Sequence, residues 1–167
     1  MKNADIGPAE DDAKLDKMDR KILNILQTDN QITNIALAEK VGLSPPPCLR
    51  RVKRLRDLGF ITQDVSLIDP LKVGQRLLVF VEVSLEKQRD DLLAHFERKM
   101  KEQPEVMQCY FLSGDTDYLV VIQVSDVEEF NAFARRVFAN EANMKRYRSR
   151  FCLNRVKYDT RIVLSED

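Results

Sequence analysis

Residues 41–59 read "VGLSPPPCLRRVKRLRDLG". Three consecutive prolines precede five basic residues, Arg50, Arg51, Lys53, Arg54 and Arg56, packed into seven positions. Cys48, Leu49, Val52, Leu55 and Leu58 recur at helical spacing, which predicts a helix with a buried face that stops at Gly59. Proline normally ends helices, but in the first turn the backbone N–H groups lack helical partners anyway. With Ser44 as N-cap, Pro45, Pro46 and Pro47 therefore fill that turn without losing a helical hydrogen bond. A residue before proline resists the α region, so regular helix is expected to begin nearer Pro47 or Cys48. The prolines also remove N–H groups that a helix N-terminus would offer to a phosphate.

Two further helices precede this one. Leu15, Met18, Ile22, Ile25 and Leu26 form one apolar stripe, with Asp16 as N-cap and Asp19 in the first turn. Thr33 caps a short second helix with Ile35, Leu37, Ala38 and Val41 on its inner face, and Gly42 supplies a left-handed end on which Leu43 packs back. Two helices joined by a short turn containing Gly, the second strongly basic, form a helix-turn-helix that reads the major groove of double-stranded DNA. On the basic helix Arg50, Lys53 and Arg54 point away from the core and can reach guanine edges, while Arg51 and Arg56 flank it and suit phosphates. Phosphate anchoring is expected at Ser44, at Arg51 and at Thr33–Asn34, with Pro46 at the stiff tip and Arg50 and Arg54 as readers. "FITQDVSLIDP" reads as a short hairpin ended by Asp69-Pro70.

The period then changes. "LLVFVEVSL" (77–85), "VMQCYFLSG", "DYLVVIQV" and "RYRSRFCLNRV" read as strands, with amphipathic helices around residues 89–104 and 126–143. In the last strand Tyr147, Ser149, Phe151 and Leu153 share one side, and Arg146, Arg148 and Arg150 the other. The order β-α-β-β-α-β is that of a ferredoxin-like sandwich, an antiparallel sheet with both helices on one face. The expected class is α+β: a disordered tail over residues 1–13, a winged helix-turn-helix over 14–63, a linker over 64–76 and a ferredoxin-like domain over 77–164.

The 167-residue chain has formal net charge +0, so any polyanion surface has to be local. Residues 44–60 carry net +4 and residues 145–161 net +6, against −3 for residues 1–12. The N-terminus lacks the apolar core of a signal peptide, and no apolar run approaches the ~18 residues of a membrane span. A cytoplasmic, non-membrane protein is expected. Cys48, Cys109 and Cys152 are odd in number and set among apolar residues, as reduced packing residues would be. One histidine and five glycines offer little for metal sites or phosphate cradles, and no nucleophile, metalloprotease or nucleotide-loop motif is present. No cofactor, metal or catalytic set is expected.

"SGDTDYL" (113–119) is the informative loop of the second half. Gly114 can adopt positive φ, and Asp115 and Asp117 put two carboxylates beside the Tyr118 ring. These are ordinary turn residues; the functional alternative is a pocket rim where a carboxylate meets an ammonium group.

Taken together, "LDKMDRKILNILQTDNQIT", "LAEKVGLSPPPCLRRVKRL…GFI" and "SGDTDYLVVIQV" make the chain resemble the Lrp/AsnC (leucine-responsive, feast/famine) transcription regulators, from about Leu15 to Leu164. The resemblance implies a homodimer built through the second domain, dimers assembling into octamers, and a small-molecule effector, an amino acid or related metabolite, bound between dimers. It places that effector near Gly114, Asp115, Asp117 and Tyr118, with Asp117 meeting the amino group and Gly114 giving backbone access. Three departures stand out: Pro46 where the family often has Thr, Arg50 where the leucine-responsive branch commonly has Glu, and "ANMKRYRS" in place of a "PGV" turn. Two other readings share this architecture, a tetrapyrrole decarboxylase-like enzyme and a nucleoid-organising DNA-binding protein.

Overall fold

The computed structural model describes residues 14–166, so the tail expected over residues 1–13 lies outside the described residues. The chain divides into two compact units: the described residues through Ser66 together with those from Tyr158 onward, and Leu67–Lys157. No helix among the described residues is long and apolar enough to cross a membrane.

The first unit holds α1 (Lys17–Leu26), α2 (Asn34–Val41) and α3 (Pro45–Asp57). Asp16 and Asp19 close a reciprocal capping box at the start of α1. Thr33 caps α2 through the Ala36 N–H. At the end of α2, Gly42 sits at φ 76°, and Leu43 N–H donates to Ala38 O at 2.8 Å, so the chain turns sharply into α3. Ile22, Leu37, Ala38, Val41, Cys48, Val52 and Leu55 form the buried core.

Three expectations are corrected here. The third helix opens at Pro45 rather than Pro47 or Cys48, with Cys48 N–H donating to Ser44 O at 3.3 Å. Ser44 takes the extended conformation that a residue before proline prefers, at ψ 154°, while Pro45 and Pro46 are helical although each precedes a proline. Ile35, Leu49 and Leu58 do not join the core; they are 70%, 58% and 50% exposed. The hairpin after α3 does not form: residues 60–69 contain no strand. Val65, Leu67 and Ile68 are exposed, and no other described segment pairs with them.

In the second unit β1 (Leu77–Leu85), α4 (Asp90–Lys101), β2 (Val106–Phe111), β3 (Tyr118–Val124), α5 (Val127–Val137) and β4 (Met144–Phe151) follow in order. The sheet order is β2-β3-β1-β4 with every neighbour antiparallel, as a ferredoxin-like sandwich requires. Alternation explains the core: Val79, Val81, Val83, Tyr118, Val120 and Ile122 share one face and pack on Phe96, Met100, Phe130 and Phe133 of the two helices. β4 ends earlier than its sequence pattern implies, and Leu153, beyond it, is 98% exposed.

The last residues rejoin the first unit. Gln27 Nε2 donates to Ile162 O at 3.0 Å while Ile162 N–H donates back to Gln27 Oε1 at 2.6 Å. Asn24 Nδ2 donates to Leu164 O at 3.0 Å, and Leu164 packs on the three-helix core. The sequence pattern assigns this segment to the second domain because it follows β4; the side-chain amides of α1 capture it instead. Truncation after Lys157 removes these bonds and the Leu164 contact. Hydrogen exchange of α1 amides should then quicken by the equivalent of about 1–3 kcal/mol; unaltered exchange would show that the tail contributes nothing to the unit.

Candidate functional site

Two surfaces carry chemistry, one in each unit. The first is the outer face of α3 and the turn leading into it. Ser44 occupies the N-cap position but makes no side-chain cap bond. Its usual acceptor role needs an N–H at the second or third helical residue, and those are Pro46 and Pro47. The hydroxyl is thus left for an external partner. The Asn34 side chain, expected at a phosphate, is already committed: Nδ2 donates to Pro45 O at 2.8 Å and pins α3 to the start of α2. Thr33 Oγ1 accepts from Ala36 N–H at 3.2 Å, so this corner offers phosphate the first backbone N–H groups of α2 rather than its side chains.

The five cations of α3 separate into two sets. Arg51 Nη1 reaches Asp16 Oδ2 at 2.6 Å and Asp19 Oδ1 at 2.8 Å, and Arg54 pairs with the other oxygen of Asp19. Asp19 is fully buried, so its charge is balanced by these two guanidiniums. Burial works against the charged form of Asp16, but the Asp19 N–H and the Arg51 guanidinium outweigh it and hold its pKa below the ordinary value. Arg56 meets Asp64 at 3.0 Å in an exposed pair. Arg50 and Lys53 are exposed and pair with no other described residue. Arg51, expected as a phosphate anchor, and Arg54, expected as a reader, are both drawn toward α1. Pro46, Leu49, Arg50 and Lys53 are exposed at helical spacing and make one stripe. The apolar character of Leu49 suggests the core, but its position one residue past Cys48, about 100° around the helix, places it outside.

The second surface is a cavity of about 410 Å³ lined by Ser84, Leu85, Gln88, Gly114, Asp115, Asp117, Lys145 and Arg146. That volume falls within the usual range for small-molecule sites. A register shift between Ser84 and Leu85 opens the β1–β4 ladder here. Asp117 repairs it, accepting from Leu85 N–H at 2.6 Å and from the Gln88 amide. Backbone bonds hold the loop on both sides, Leu112 N–H to Asp117 O at 2.8 Å and Asp117 N–H to Val83 O at 2.9 Å. Gly114 has φ 118°, a conformation that side chains oppose, and nothing crowds the space above it. Lys145 and Arg146 line the same cavity, are exposed and pair with no other described residue. Of the four expected effector residues, Gly114, Asp115 and Asp117 come together, and Tyr118 does not. Its ring is buried between Phe96 and Phe111, at centroid distances of 4.8 and 5.1 Å, and its hydroxyl donates to Glu97. Burial and the Glu97 charge push its pKa up. Alternation along β3 decides this, because Tyr118 shares the helix-facing side with Val120. His95 lies 3.8 Å from Glu141 and does not line the cavity.

Comparison with known proteins draws both surfaces into one frame. Residues 15–62 match the winged helix-turn-helix DNA-binding model and residues 78–162 the Lrp/AsnC ligand binding domain. The chain belongs to the Lrp/AsnC family. It is 43% identical over 150 residues to an uncharacterized HTH-type transcriptional regulator of Haemophilus influenzae, covering 90% of this chain and 89% of that one. It is 36% identical over 150 residues to the leucine-responsive regulatory protein of Escherichia coli, covering 90% and 92%. A transcriptional regulator of Neisseria meningitidis, solved as an L-Met complex, superposes with TM-score 0.85 at 36% identity, covering 90% and 97%. An AsnC family transcriptional regulator from Agrobacterium tumefaciens gives TM-score 0.85 at 38% identity, covering 89% and 97%. This Lrp/AsnC protein is a DNA-binding transcriptional regulator with an effector-binding domain.

Substituting an N-cap serine by Ala ordinarily costs about 1 kcal/mol of stability. Ser44→Ala should cost no more than a few tenths in urea unfolding, because no cap bond is lost. Its affinity for cognate DNA should fall several-fold in the same preparation. A stability loss near the ordinary value would show that the hydroxyl caps α3.

Proposed function

We propose that the chain regulates transcription by reading the major groove with the Pro46–Leu49–Arg50–Lys53 stripe of α3, and that an amino acid or close relative bound in the Gly114–Asp117 cavity modulates this. Arg50 and Lys53 present unpaired cations to guanine O6 and N7, and Leu49 offers an apolar contact to thymine methyl groups. Ser44 and the start of α2 at Thr33–Asn34 meet phosphates. Glu is common in the leucine-responsive branch at the position of Arg50, so the preferred operator differs from that branch's.

The effector reading rests above all on the charge arrangement of one cavity. Lys145 and Arg146 stand with Asp115 and Asp117 around a single space, two cations and two anions that fit a zwitterion. The α-ammonium meets Asp115 and Asp117, whose oxygens keep lone pairs beyond those used by Leu85 and Gln88. The α-carboxylate meets Lys145 and Arg146, and the Gly114 backbone lets it approach closely. The L-Met complex of the Neisseria relative supports an amino acid as the class.

A homo-oligomer, built from dimers and assembling as four dimers, is part of the same reading. Met107, Phe111, Leu153 and Val156 are 62%, 58%, 98% and 89% exposed, apolar side chains that association between copies would cover. The protein would work in the cytoplasm, where its DNA is.

A thermal-shift screen against the L-amino acids tests the effector site. A ligand at about 100 times its Kd stabilises by about 2.7 kcal/mol, and the double variant Lys145→Gln, Arg146→Gln should lose the shift while keeping its own melting temperature. An undiminished shift in that variant would sink the assignment. Sedimentation of the purified chain should give a mass above that of the monomer; a monomer at tens of micromolar would rule out the oligomer.

A further inference from the structure

The DNA-facing helix carries five cations, yet its unit spends two of its own acids, the exposed Asp16 and the buried Asp19, on two of them. Asp16 and Asp19 belong to the cap of α1, where one carboxylate would suffice for the Asp19 N–H. Both carboxylates instead extend across to α3. Arg51 is bound by both, and Arg54 is bound by the fully buried Asp19. Neither guanidinium is hidden: the Arg51 and Arg54 side chains keep 32% and 41% exposure. The group of four is electrically neutral, so at the distance of a DNA backbone its field nearly cancels.

We propose that Asp16 and Asp19 are specificity-setting positioning residues, an intramolecular acid mask that withholds Arg51 and Arg54 from DNA phosphates. The inference rests on the DNA-binding reading of α3 and adds to it the balance between cognate and unrelated DNA. Sequence-independent attraction grows with each phosphate neutralised, by a slope of about 0.9 in log K against log salt. Two masked arginines lower that slope by up to about two while leaving Arg50 and Lys53 to read bases. The mask therefore trades general affinity for discrimination, and it does so through the residues that start α1, so the helix cap and the charge control are one structure.

The test is a gain of function, which a purely structural role for the acids does not produce. Binding of the full-length protein to an unrelated duplex is measured across salt concentrations. Asp19→Asn should steepen the slope by about 1–2 and tighten unrelated-DNA binding several-fold at low salt. Adding Arg54→Gln to that variant should return the slope toward the parent value, because the liberated charge is gone. Asp16→Asn removes one of the two Arg51 partners while keeping an equally good cap residue, and should steepen the slope by less than one. If Asp19→Asn fails to fold, Asp16→Asn decides. Folded variants with the parent's slope overturn the mask. Absence of any salt-dependent binding by the parent protein would instead overturn the DNA reading itself.

Discussion

A carboxylate taken out of water has to be given donors, and each unit of this protein is organised around one that has been. Asp19 is fully buried beneath the recognition helix, and Asp117 is 6% exposed beside the cavity. An unpaired charge at either place would cost several kcal/mol. The surrounding chain answers with groups that cannot be moved without loss: two guanidiniums for Asp19, a bulge N–H and a glutamine amide for Asp117. The position of α3 against α1 and the mouth of the cavity both follow from these demands. The geometry of both surfaces thus comes from satisfying buried acids, and the cations available for ligands are those left over.

The three prolines act by the same accounting, applied to donors instead of acceptors. By removing the N–H groups at the second and third positions of α3 they leave Ser44 with nothing to cap. An ordinary helix start would use that hydroxyl internally and offer its N–H groups to a phosphate. Here the roles are exchanged: the backbone is mute and the side chain is free. The fixed φ of each proline also removes conformational freedom from the start of α3.

Features set by neighbours a few residues apart were legible in the sequence. The N-cap at Asp16, the left-handed Gly42, the helix-turn-helix order and the alternation of Val79, Val81 and Val83 all follow from local rules. So did the coming together of Gly114, Asp115 and Asp117, which share one turn. What the sequence hid depends on contacts between distant residues. Arg51 and Arg54 look like free cations until Asp16 and Asp19, more than 30 residues earlier, are placed beside them. Lys145 and Arg146 read as part of a basic strand, and only the β1–β4 pairing carries them to the cavity. Leu49 and Tyr118 failed in opposite directions, one apolar residue sent out and one polar aromatic drawn in. In both cases the angular or alternating position decided the side, over the residue's chemical character.

A chain of zero net charge that binds a polyanion has to solve a distribution problem rather than a quantity problem. Twenty-seven basic residues are matched by twenty-seven acidic ones, so attraction to DNA exists only where pairing is left incomplete. Local ion pairs such as Arg136–Glu105 and Arg150–Glu82 cancel charge over much of the second unit. On α3 the cancellation is partial, and Arg50 and Lys53 remain. A small uncompensated charge gives a single copy weak general attraction, and the oligomer proposed above would multiply it only when several recognition helices engage one duplex together. A site with correctly spaced sequences is then favoured twice, through base contacts and through simultaneous engagement. Strong local charge would weaken that preference, because it would hold a single unit on any duplex.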